Sequence, residues 1–123
     1  MKQSKLKNGL PYIIIPSKTD LVTISFAVNV GSNDESPNGN GISHFLEHLI
    51  FEGTKKYRTS LELNEVIDNF GGELNAMTSK NRTTVYLKVP KKFFKEALSV
   101  VSDIITRPTF KKEIFEKEKQ VVL

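Results

Sequence analysis

Two hydrophobic periods run along this chain. From Thr23 to Val30 apolar and other residues alternate, placing Ile24, Phe26, Val28 and Val30 on one face, the period of a half-buried strand. Tyr12 to Ile15 is a shorter apolar run closed by Pro16, and with the first it predicts an opening pair of strands. The next segment, Gly31 to Gly41, consists almost wholly of turn formers and predicts a surface loop. Ile42 to Phe51 then runs without a breaker and is apolar nearly all round, which predicts a buried helix whose strongly polar side chains are His44, Glu47 and His48.

A second helix is announced by Thr59 with Glu62 three residues on, a capping box. Leu63, Val66, Ile67 and Phe70 follow at helical spacing before the Gly71-Gly72 stop. Glu73 to Met77 and Thr83 to Val89 read as a hairpin, with Val85, Leu87 and Val89 facing inward. Beyond Pro90, Phe94, Ala97, Leu98, Val101 and Ile105 mark a third helix that ends before Pro108, and a fourth begins at Lys111. The phenylalanines Phe45, Phe51, Phe70 and Phe94 fall on apolar stripes and are expected in the core. Strands and helices mixed in this order, with no repeat or linker, give an α+β fold in one unit: an antiparallel or mixed sheet with helices on one face.

Composition narrows the function. The 123 residues carry 18 Lys+Arg against 14 Asp+Glu, a formal charge of +4, but the basic residues are scattered in pairs such as Lys55-Lys56 and Lys91-Lys92 among acids. That is a poor nucleic-acid footprint. With no Cys there is no disulfide, thiolate ligand or Cys nucleophile, so any metal must be held by His and carboxylate. The apolar run ending at Pro16 is too short for a signal-peptide core or a membrane span, and a cytoplasmic location is expected.

The chemistry lies in His44, Glu47 and His48. Both histidines of the chain sit four apart on one helix face, able to converge on one ion, with a glutamate beside the second. A zinc hydrolase needs neutral nitrogen ligands and a nearby carboxylate to take a proton from water, and His-x-x-Glu-His supplies both in one turn. With two His and ten Glu in the chain, chance produces this arrangement in roughly one sequence in a thousand. Three ionisable groups on an apolar helix also need a compensating partner, and a metal provides one.

Gly31-Ser32 followed by Glu35, then Gly41-Ile42-Ser43-His44-Phe45-Leu46-Glu47-His48-Leu49-Ile50-Phe51 with Gly53-Thr54, resembles the inverted-zincin region of the pitrilysin-type (M16) zinc metallopeptidases. That family includes the mitochondrial processing peptidase and insulin-degrading enzyme. The resemblance continues through Gly71-Gly72, Asn75-Ala76, Thr78, Thr84-Val85-Tyr86 and Phe115-Glu116-Lys117-Glu118-Lys119. It implies a processing-peptidase-like metallohydrolase fold, shared with the quorum-sensing enzyme that cleaves S-ribosylhomocysteine. The absence of Cys argues against the latter activity.

By position, the resemblance implies His44 and His48 as zinc ligands, Glu47 as the general base and Glu118 as a second active-site glutamate. It also implies that Asn75 and Ala76 lie on an edge strand that pairs with extended substrate. Glu118 has an independent mark, since its spacing from Ile114, Phe115, Val121 and Val122 puts it on the inward face of its helix. The family's third ligand, a glutamate about two turns beyond Glu118, falls just past Leu123. Residues 1–123 are therefore expected to be the amino-terminal part of a zinc peptidase domain. The expected function is a zinc-dependent endopeptidase, inactive or weak at this length. Its partners would be a peptide or unfolded-protein substrate and either the rest of the peptidase or further copies of the chain. The alternative is a non-catalytic binding or assembly module, in which Ile114, Phe115, Val121 and Val122 expose an apolar face.

Overall fold

The computed structural model describes residues 1–122, with side chains through Val121; the expectation for the Val122 side chain lies outside the described residues. A hairpin of β1 (Lys2–Lys5) and β2 (Pro11–Ile14) opens the chain. A separate antiparallel sheet is built from β3 (Leu21–Val28), β4 (Glu73–Thr78) and β5 (Thr83–Pro90), in the order β3-β5-β4. The predicted opening pair is thus corrected. The apolar run at Tyr12 takes β1 as its partner, whereas β3 pairs with β5 in a register running from Leu21↔Pro90 to Val28↔Thr83.

The alternating period of β5 drives the fold. Val85, Leu87 and Val89 are buried, and the register aligns them with Phe26, Ile24 and Val22 of β3 and, for the first two, with Ala76 and Leu74 of β4. Against this face pack α2 (Ser60–Asn69), through Leu63 and Ile67, and α3 (Phe94–Thr106), through Ala97, Val100, Val101 and Ile104. Burying one such aliphatic side chain stabilises the fold by about 1.5–3 kcal/mol. At the amino end of α2, the Thr59 hydroxyl accepts from the Glu62 N–H at 3.1 Å. The Glu62 carboxylate reaches back to the Arg58 N–H at 2.8 Å, one residue before the predicted box partner.

Three expectations shift. Val28 and Val30 share the parity of the core face but lie at the sheet's end, exposed. The inward stripe of α3 runs through Val100 and Ile104, so Phe94 and Leu98 face outward and Phe94 leaves the predicted core. The helix predicted to be buried, α1 (Ile42–Ile50), buries only Phe45 and Leu49, while Ile42 is 56% and Leu46 47% exposed. Its apolar flank meets α4 (Lys112–Val122), where the Phe45 and Phe115 rings stand edge to face at 5.0 Å. Ile114 is half-buried there and Phe115 and Val121 stay exposed.

Candidate metal centre

The polar flank of α1 faces the end of β4. Spaced one turn apart, the imidazoles of His44 and His48 bring their Nε2 atoms to 3.2 Å, with the rings at 71° to each other. Both remain open to solvent, with side chains 56% and 38% exposed. Two imidazoles on one zinc at 2.0–2.1 Å each, at a tetrahedral angle, stand about 3.3 Å apart, so the pair fits a single ion. Among the described residues no group of three or more His, Asp or Glu side chains is placed to hold a metal.

Glu47 is drawn inward on the same helix. One oxygen, Oε2, accepts a hydrogen bond from the Thr78 hydroxyl at the end of β4 and lies 3.9 Å from His44 Nδ1. Glu118 comes from α4, and its Oε2 stands 3.4 Å from His48 Nδ1, on the far side of the ring from the facing Nε2 pair. Its side chain is 13% exposed, so the inward placement read from helical spacing holds. A carboxylate at the second nitrogen of a ligating histidine fixes that ring's tautomer and orientation and raises its basicity. Glu118 thus stands behind a histidine, at the ring nitrogen away from the Nε2 pair.

The helix carrying these groups is held at its start from outside. Gly41 precedes α1 with φ +89°, a left-handed conformation that an L side chain rarely adopts. With no side chain there to cap, the first-turn amides turn to Glu35: Oε1 accepts from the Ser43 N–H and Oε2 from the Gly41 N–H, each at 2.8 Å. The Ser43 amide, then the Gly41 amide, hold the Glu35 carboxyl below the usual carboxylate range.

Asn75 and Ala76 lie on β4, an edge of the three-stranded sheet, as expected. Asn75 is exposed on the outer face, and its Oδ1 accepts from the Ala76 N–H at 2.8 Å. Sequence reasoning missed what Thr78 and Glu35 do. Thr78 is 31 residues from Glu47 and no local period links them, whereas an acid shortly before a helix that starts on Gly was a readable capping signal for Glu35.

The family pattern described as Insulinase (Peptidase family M16) matches residues 12–123. The chain belongs to peptidase family M16. An uncharacterized zinc protease of Rickettsia bellii is 39% identical to this member of the family, over 98% of the chain and 29% of its own length. The mitochondrial-processing peptidase subunit beta of Dictyostelium discoideum is 34% identical, over 99% of the chain and 26% of its length. The crystal structure of a protease from Helicobacter pylori superposes with a TM-score of 0.92 at 32% identity, covering 98% of this M16 chain and 29% of that one. The chain spans less than a third of the length of these relatives.

Proposed function

We propose that this M16 chain carries the imidazole pair and the general base of a zinc-dependent endopeptidase, with His44 and His48 as ligands and Glu47 as the base. The observation that carries the reading is the 3.2 Å approach of the two Nε2 atoms beside an inward-drawn glutamate. Zinc is the metal of the relatives' names, and the donor set, two imidazoles without thiolate, suits it. Bound zinc supplies Lewis acidity to a peptide carbonyl and to water. Thr78 holds Glu47 Oε2, so Oε1 is the atom left to take the proton of the attacking water and return it to the leaving amine. Glu118 holds the His48 ring from behind. An extended peptide adds to the free edge of β4, displacing the Asn75 side chain from the Ala76 N–H. Among the described residues no third side-chain ligand joins the pair, so slow turnover is expected of residues 1–123 alone.

Cleavage of a quenched peptide by the chain, with zinc and with chelator, tests the reading. Slow hydrolysis that needs zinc and is lost in Glu47→Gln is expected, and hydrolysis that survives that substitution contradicts it. A second reading, a binding or assembly module, is favoured by one observation. A largely apolar groove of about 500 Å³ runs between α1 and α4, lined by Ile42, Phe45, Leu46, Leu49, Phe110 and Phe115 together with Lys119. No hydrolysis with zinc held at His44 and His48 would favour it.

A further inference from the structure

We propose that Glu35 is a positioning residue for His44: a carboxylate outside α1 that fixes the helix's first turn to the β4–β5 hairpin. The inference rests on reading His44 and His48 as the metal pair. Two bonds from one planar carboxylate to Gly41 and Ser43 define the direction of the first turn as well as its place, and Ser43 is the residue before His44. The negative charge also meets the positive end of the helix.

Glu35 is itself anchored. It follows a 3₁₀ turn (Ser32–Asp34) whose amides reach the turn between β4 and β5: Ser32 N–H donates to Ser79 O at 3.1 Å and Asn33 N–H to Lys80 O at 2.8 Å. Gly31, buried, lies flush on that turn, and a Cβ there would fall 2.2 Å from Ser79 O. Asp34 closes the loop on itself by accepting from the Gly31 N–H at 2.8 Å and, among the described residues, makes no hydrogen bond to α1. The hairpin that positions Glu47 through Thr78 therefore positions His44 through Glu35, and base and ligand share one reference frame. Sliding or tilting the first turn moves the His44 ring relative to His48, whose Nδ1 faces Glu118 of α4 at 3.4 Å.

The test measures zinc affinity of the 123-residue chain by competition with a chromophoric chelator, with thermal midpoints alongside, in Glu35→Ala, Glu35→Gln, Asp34→Ala and His44→Ala. Outer carboxylates that orient a metal site typically contribute 10–100-fold in affinity, so Glu35→Ala should weaken zinc binding by about that factor. Glu35→Gln, which keeps one accepting oxygen, should fall between it and wild type. Asp34→Ala should stay within about twofold of wild type whatever its thermal midpoint, because its loss leaves in place both the Glu35 bonds to α1 and the bonds of the turn to Ser79 and Lys80. Wild-type affinity in Glu35→Ala, or an equal loss in Asp34→Ala, overturns the proposal; if Glu35→Ala does not fold, wild-type affinity in Glu35→Gln does so. Undiminished affinity in His44→Ala would remove the metal reading instead. The His44 ring resonances then decide: a shift in the Glu35 variants but not in Asp34→Ala supports positioning, and no shift refutes it.

Discussion

Helices α1 and α3 are both strongly amphipathic, yet they are held by different physics. The inward stripe of α3, Ala97, Val100, Val101 and Ile104, is sealed against β3 and β5, at most 2% exposed. On α1 only Phe45 and Leu49 are buried, while polar atoms fix its other flank: Glu35 on the first turn, Thr78 on Glu47 and Glu118 behind His48. Close packing anchors α3 along its whole inward stripe, whereas directed bonds at named atoms set the orientation of α1, which the proposed metal pair and base require. The contrast places the core in α2, α3 and β5 and the proposed chemistry in α1.

Truncation on the α3 side should produce the largest effect. Ile104→Ala, at a fully buried position, should cost about 2–5 kcal/mol in denaturant unfolding. On the α1 side, Glu118→Gln should leave the unfolding midpoint nearly unchanged and weaken zinc binding about 10–100-fold, read by chelator competition. Thr59→Ala removes the cap of α2 and should cost about 1 kcal/mol, read in the same unfolding experiment.

A pH titration sharpens the comparison further. Glu35 has its carboxyl lowered by the Ser43 and Gly41 amides. Its contribution is therefore fully present above the unfolded carboxylate range, near pH 4.5, and is lost as pH falls through the lower folded value. Acid unfolding of Glu35→Gln should lack that component of the wild-type curve. The smallest effect is expected from Leu46→Ala on the exposed flank of α1, within about 0.5 kcal/mol.

The sequence carried the β4–β5 hairpin, the four helices and the His44, Glu47, His48 constellation, because each rests on a local period or a one-turn spacing. Glu118 was legible for the same reason. It could not carry the pairing of Tyr12's strand with β1, since Lys2 to Lys5 has no apolar alternation and all four residues are exposed. Nor could it show that Ile42 and Leu46 stay open. A helix apolar outside its His44, Glu47 and His48 flank implies burial, and only the placement of α4 along one side reveals which residues are left uncovered. Thr78 and Glu35 act through contacts that the fold creates.

The central claim, that α1 presents its two imidazoles to one zinc ion beside Glu47, is tested most directly by calorimetric zinc titration of the chain. One zinc per chain is predicted, retained in Glu47→Gln and lost in both His44→Ala and His48→Ala, each with the unfolding midpoint preserved. Undiminished affinity in the two histidine variants would contradict it.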